Sequence, residues 1–396
     1  MSQTKQTKVY TKVIDHDADI SKLAKKVIKS CKYIPQQWIS QVEDALEEIQ
    51  RRQNNNDDVE TESISDPTEE IKTKLDSVLE LFYGDINDKI SASLEVLSLC
   101  KEVDNVVIIA QHHQMISAFT RILSDQTLYS IDLTFNISKV FLGLSSFEDL
   151  HPVLLKYHVG SIIMAVAEQE ARRARKNNDE RVDGLPFNSR TRNHRHHCVL
   201  YVCLSILVRL SDDMAVLRKM MKKGLMNVIT QCMLDELPPN LFGSTLFLLR
   251  RASAFGEVAE LCADENCLVV ERLVSSLPTV NETFATDVLS ILYNLSFDTG
   301  CRCRMLSSGL SKFLPPLLKS KSSITRVTAT ATLYQLSIDR SHRHVLLNTE
   351  LANILLQSVS PKKSSADPHL SALLVNVSNC SFPICDILEP IKQASN

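Results

Sequence analysis

The sequence predicts an all-α solenoid preceded by a separate helical segment, and composition, a repeated serine and a helical apolar rhythm all lead there. Over 396 residues, hydrophobic side chains make up 44% and aromatics 6%, with only 9 glycines and 13 prolines. So few turn formers suit many short helices better than a sheet. A chain of this length folds either into a few globular domains or into an array of small units that bury their cores against one another. Internal repetition decides for the array.

That repetition is visible in "RLSDD", "RASAF", "NLSFD", "QLSID" and "NVSNC", which place a serine at Ser211, Ser253, Ser296, Ser337 and Ser378, at spacings of 42, 43, 41 and 41. A second marker follows by 13 residues: Gly224, Asn266, Gly309 and Glu350. Upstream, "GLSSF" carries Ser145, 66 residues before Ser211, which is one period plus an insertion of about two dozen residues. "LEVLSLCKE" around Cys100 is a weaker copy. Within a unit, Val288, Leu292 and Leu295 follow helical spacing, and Phe313, Leu314, Leu317 and Leu318 resume it after Gly309. A period of 41 to 43 residues belongs to armadillo or HEAT arrays. A short helix, a glycine, a second helix and a longer third helix ending in "NLS" predict an armadillo-type superhelical solenoid.

Three regions follow. Residues 1–52 form an N-terminal helical segment, with Ile20, Leu23, Val27, Ile28 and Cys31 on one stripe, Ile39, Val42, Leu46 and Ile49 on another, and Pro35 between them. It reads as a hairpin that caps the first repeat, with a coiled coil as the alternative. Residues 53–70, with seven acidic and no basic side chains, read as a flexible linker. Residues 71–396 are the solenoid, with a basic insertion at about 171–197 that reads as a solvated loop.

Several function classes receive no support. No glycine-rich phosphate loop, nucleophile elbow or H-E-x-x-H is present, so no catalytic or cofactor-binding residue and no small-molecule substrate is expected. The net charge of −3 offers no global attraction to nucleic acid. The longest apolar run, Cys198–Val208, is too short for membrane insertion. Eleven cysteines without an apolar leader, and sequons at Asn136, Asn294 and Asn376 inside apolar helical runs, fit a cytosolic chain with reduced thiols. "NHRHHC" gathers His194, His196, His197 and Cys198, but adjacent residues cannot all converge on one tetrahedral ion, so no metal is expected. Cys301 and Cys303 of "CRC" read as packing thiols.

The candidate partner site is the row of concave third helices. Peptide-binding armadillo arrays carry an asparagine ladder there, with a tryptophan one turn earlier. The ladder positions here read Gly143, Arg209, Arg251, Asn294, Gln335 and Asn376, and the positions one turn earlier include Ser205, Phe247, Ser290, Ala331 and Ala372. Arg209 and Arg251 suit an acidic ligand. Arg172, Arg173, Arg175 and Lys176 in the insertion form a possible second patch for an acidic partner.

The stretches "DISKLAKKVIKSCKYI", "VEDALEEIQRR", "LFYGDINDKISASLEVLSLCKEVDN", "FLGLSSFEDLHPVLLKYHVGSIIM" and "LSILYNLSFDTGCRCRMLSSGL" occur in this order. Together they resemble the kinesin-associated protein family, from about residue 13 to 380. The resemblance implies a non-catalytic adaptor subunit of a heterotrimeric kinesin. Such a subunit binds the motor subunit tails and cargo adaptors for microtubule-based, intraflagellar transport in the cytoplasm and in a cilium or flagellum. Family members continue through further repeats beyond the point where this sequence stops, and their insertion is more helical. Two other readings stay open: an armadillo peptide receptor of the importin or catenin type, and a solenoid that regulates a small GTPase.

Overall fold

The computed structural model describes residues 19–30, 39–56, 67–125, 127, 129–179, 188–234, 237–346, 351 and 368–378. Among them every regular element is a helix. The chain divides into two units, Met1–Glu69 and Glu70–Asn396.

In the first unit, α1 (Ile20–Ser30) packs on α2 (Ile39–Asn56). Ala24 and Leu46 are buried between Ile20, Leu23, Ile39 and Val42, which are the predicted stripes facing each other. Ser21 Oγ donates to Glu43 Oε1 at 2.8 Å across the hairpin. Helix α2 runs on to Asn56 and α3 starts at Pro67, so the two ends of the acidic segment are helical and its middle lies outside the described residues.

The second unit is the array. Helices α3 (Pro67–Leu81) and α4 (Ile86–Leu99) open it. The first complete triplet is α5 (Val103–Gln111), α6 (His113–Ser124) and α7 (Ile131–Leu144). The next is α8 (His151–Lys156), α9 (Val159–Asp179) and α10 (Asn188–Leu210). Then follow α11 (Met214–Lys222), α12 (Leu225–Met233) and α13 (Pro239–Ala252), and α14 (Gly256–Ala263), α15 (Val269–Ser276) and α16 (Glu282–Leu295). The last described turns are α17 (Thr299–Ser307), α18 (Leu314–Leu318), α19 (Ser323–Leu336), α20 (Arg343–Leu346) and α21 (Pro368–Ser378). The third helices α7, α10, α13, α16, α19 and α21 each pack on the next, and one apolar core runs from Leu75 to Leu373. This continuity is what a repeat needs, because no single triplet can bury its own apolar stripe.

Both sequence markers have a local physical reason. Five marker serines, Ser145, Ser211, Ser253, Ser296 and Ser337, end third helices and are buried, and each hydroxyl donates to the carbonyl three residues earlier, while the Ser378 side chain and Glu350 lie outside the described residues. The distances are 2.9 Å for Ser145 to Leu142, 2.6 Å for Ser211 to Val208, 2.8 Å for Ser253 to Arg250, 2.6 Å for Ser296 to Tyr293 and 2.6 Å for Ser337 to Tyr334. The hydroxyl thus bonds back to a carbonyl of the last helical turn, one that at Tyr293 and Tyr334 also accepts the serine's own backbone N–H. The second marker is a left-handed residue: φ is 97° at Gly224 and 82° at Gly309. The same place after Ser145 is taken by His158, with φ 55°. At Asn266 the chain instead makes an Asx turn, its N–H donating to Asp264 Oδ1 at 2.8 Å.

The basic insertion departs from expectation. Residues 171–179 extend α9 and residues 188–197 begin α10, so what reads as a loop is largely two helix extensions, with residues 180–187 outside the described set. Alanine and arginine are strong helix formers, and Ala171 and Ala174 are buried, so the helix has reason to continue.

Candidate functional site

The third helices present a row of side chains spaced one repeat apart, and the ladder residues among them reach back to the preceding repeat. Arg209 on α10 donates through Nη1 to Leu142 O at 2.6 Å and to Ser146 Oγ at 2.6 Å, closing the C-terminal end of α7. Arg251 on α13 pairs with the Asp212 carboxylate and donates to Asp212 O at 3.1 Å. Its guanidinium also lies over the Phe247 ring, 5.5 Å from the centroid. Asn294 Nδ2 donates to Ser253 Oγ at 2.9 Å, and Asn376 Nδ2 to Ser337 Oγ at 3.0 Å. Gln335 is buried at 6% exposure, so it is withdrawn from the exposed partner-binding set. Gly143 leaves its position open.

The four partly exposed ladder residues therefore have a structural task that spacing could not reveal. A peptide ladder needs amides directed at a groove, whereas the Nδ2 groups of Asn294 and Asn376 are directed at the serine of the neighbouring unit. Along the row and just past its helix ends, the exposed large hydrophobic side chains include Tyr201, Phe247, Phe297, Ile338 and Val375, among exposed polar ones such as Arg250 and Arg326. Phe247 stands where peptide-binding arrays carry tryptophan. Arg250, exposed beside it, pairs with Asp287 of α16 at 2.7 Å.

The insertion arginines are also held within the array. Arg172 pairs with Glu168 at 2.5 Å, and Arg175 donates to Gln231 O at 3.1 Å and to Gln231 Oε1 at 3.0 Å. Arg173 pairs with Glu170 at 2.5 Å while its guanidinium stacks 3.6 Å from the Tyr129 ring centroid. The Lys176 side chain lies outside the described set. Glu170 is fully buried and also takes His196 Nδ1 at 2.6 Å and the Tyr129 hydroxyl at 3.3 Å. Burial, with the Glu170 charge behind it, pushes the Tyr129 hydroxyl up to about 12. His196 is thus committed to a carboxylate, and His194 Nε2 lies 3.6 Å from Cys198 Sγ. Among the described residues no group of three or more histidine, cysteine or acidic side chains could hold a metal ion. No single helix among them is long and apolar enough to cross a membrane.

A further set of side chains escaped sequence reasoning. Arg302, buried, donates through Nε and Nη2 to Asp339 at 2.6 and 3.2 Å, and through Nη1 to Ser296 O at 2.8 Å and Phe297 O at 3.1 Å. Arg343 repeats this, its Nε donating to Ser337 O at 2.7 Å. His151 Nε2 lies 3.0 Å from Ser145 O. All three stand six residues after a marker serine, a spacing that could have exposed them. The Arg302 guanidinium, by its hydrogen bond first, holds the Asp339 carboxyl below the usual carboxylate range.

Among solved structures the chain is similar to a designed armadillo repeat protein, at 11% identity and a TM-score of 0.47, over 66% of this chain and 99% of that one. It is also similar to an engineered protein at 9% identity and a TM-score of 0.49, over 77% and 79%. A third, a designed armadillo repeat protein in complex with a (KR)4 peptide, is 10% identical with a TM-score of 0.45, over 66% and 99%. The family model of the kinesin-associated protein (KAP) matches residues 2–384. A match over nearly the whole length of a chain built as a helical solenoid shows the family: the chain belongs to the kinesin-associated proteins.

Proposed function

We propose that the chain is the non-catalytic adaptor subunit of a heterotrimeric kinesin, holding the tails of two motor chains and linking them to cargo adaptors. Transport along microtubules in the cytoplasm and in a cilium or flagellum is part of the same reading. The observation that carries it is the family match over residues 2–384. The row of third helices supports it, since stacked repeats offer an extended surface to an extended partner. On that row the contact falls to exposed side chains that hold no rung, Phe247 and Phe297 foremost, because aromatic side chains dominate such interfaces. Arg209, Arg251, Asn294 and Asn376 then frame the contact. Arg172, the most exposed of the described insertion arginines, suits an acidic stretch of cargo or tail.

The test is co-purification of the full chain with a pair of different kinesin motor chains, with isolated motor heads as competitors. Binding through the tails that the heads do not displace is expected. Phe247→Asp with Phe297→Asp should weaken it at least tenfold at an unchanged melting temperature. Unchanged binding moves the motor site off this row. Failure to bind any motor tail, with capture of short extended peptides instead, favours the importin or catenin type of receptor.

A further inference from the structure

The two cysteines of α17 have opposite surroundings. Cys301 is buried, donates its thiol proton to Ala259 O at 3.2 Å and is pushed up to about 12 by burial, as a packing thiol should be. Cys303, on the same helix, is exposed, and its Sγ lies 3.6 Å from His342 Nε2. The imidazole comes from the short 3-10 turn Arg340–His342 of the next repeat, 39 residues away in the sequence.

Behind the ring stands a carboxylate. His342 Nδ1 faces Asp339 Oδ2 at 3.5 Å, and that oxygen also accepts from Arg302 Nε at 2.6 Å. Arg302 thus fixes the carboxylate against the ring, while Arg343 adds a further positive charge beside it. Among the described residues Nδ1 is buried and has no hydrogen-bond partner, an arrangement that a purely structural ring nitrogen rarely shows. A carboxylate on this side favours the proton on Nδ1 and leaves Nε2 open to accept one from the Cys303 thiol. Thiol, imidazole and carboxylate therefore stand in the order that nucleophile, base and orienting group require.

We propose that Cys303 is a modification site for low-molecular-weight disulfides, with His342 as its general base. The Cys303 thiol passes its proton to Nε2 as its sulfur attacks one sulfur of the disulfide. The disulfide bond breaks, a mixed disulfide forms on Cys303, and the departing sulfur takes the proton back from Nε2. One thiol and one disulfide become one mixed disulfide and one thiol, so no outside oxidant enters. Because Cys303 is exposed, the adduct stays outside the apolar core and the repeat need not open.

The test uses the full chain, glutathione disulfide near neutral pH and peptide mass spectrometry. Cys303 should gain the glutathione mixed disulfide, which dithiothreitol releases, while Cys301 stays unmodified. It should react at least about tenfold faster in the folded chain than in the chain unfolded in urea, where a thiol gains exposure but loses its base. In His342→Gln the Cys303 rate should fall by about the same factor, and added imidazole should restore part of it, at an unchanged melting temperature. A Cys303 that reacts no faster folded than unfolded, or a rate that His342→Gln leaves unchanged, overturns the proposal.

Discussion

Asn294 Nδ2 donates to Ser253 Oγ at 2.9 Å, joining two residues 41 positions apart in the sequence. The Ser253 hydroxyl itself donates to Arg250 O at 2.8 Å, so it ends one third helix and accepts from the amide of the next. The bond should contribute about 1 kcal/mol. A double-mutant cycle on Asn294→Ala and Ser253→Ala in urea should return a coupling of that size, and additive effects would place the amide elsewhere.

The buried carboxylate at Glu170 has three partners, Arg173, His196 and Tyr129, drawn from α9, α10 and the approach to α7. Removing it strands a guanidinium and an imidazole next to the core. Glu170→Ala should cost about 3 kcal/mol, as expected when one side of a buried ion pair is lost. Arg172→Ala, which breaks an exposed pair on the same helix, should cost less than about 1 kcal/mol. Equal losses in chemical denaturation would show that the buried cluster contributes no more than the surface one.

His158 occupies a left-handed conformation that its repeat equivalents, Gly224 and Gly309, fill with glycine. His158→Gly should therefore stabilise the chain by about 1 kcal/mol, and Gly309→Ala should destabilise it by a similar amount. Thermal melts of the two variants should move in opposite directions.

Arg302 and Asp339 give the array an acid-sensitive joint. Because the folded state holds the Asp339 carboxyl below its unfolded value, the carboxylate contributes stability above the unfolded pKa of about 4. That contribution is lost as pH falls through the folded value. The stability difference between the native chain and Asp339→Asn should be constant near neutrality and shrink below about pH 4. A difference that survives in full at lower pH would show that the pair does not titrate with folding.

The repeat was legible because its two markers are backbone requirements: a helix-ending serine bonded back to its own last turn, and a turn that takes a positive φ at Gly224 and Gly309 and an Asx turn at Asn266. His158 hid the second marker in one unit, since histidine in that conformation leaves no trace in composition. The partner site was less legible. Spacing placed Arg209 and Arg251 on the right helices, but a long flexible side chain can turn outward or back along the array, and only neighbouring carbonyls and Asp212 decide which. The same limit applied to the insertion, whose arginines signalled a solvated loop until Glu170, Gln231 and the Tyr129 ring were seen to receive them.

The antiparallel pair α9 and α10 carries the extra residues of the insertion at the end remote from Arg209. The rung from Arg209 to Ser146 spans 63 residues, against 39 for Arg251 to Asp212, yet it closes in the same place. Evolution can therefore lengthen this hairpin at its tip as freely as a flagpole is raised above its base, adding a recognition element of any reach. At the foot of the same helices, loss or gain of a single residue would rotate the whole seam out of step.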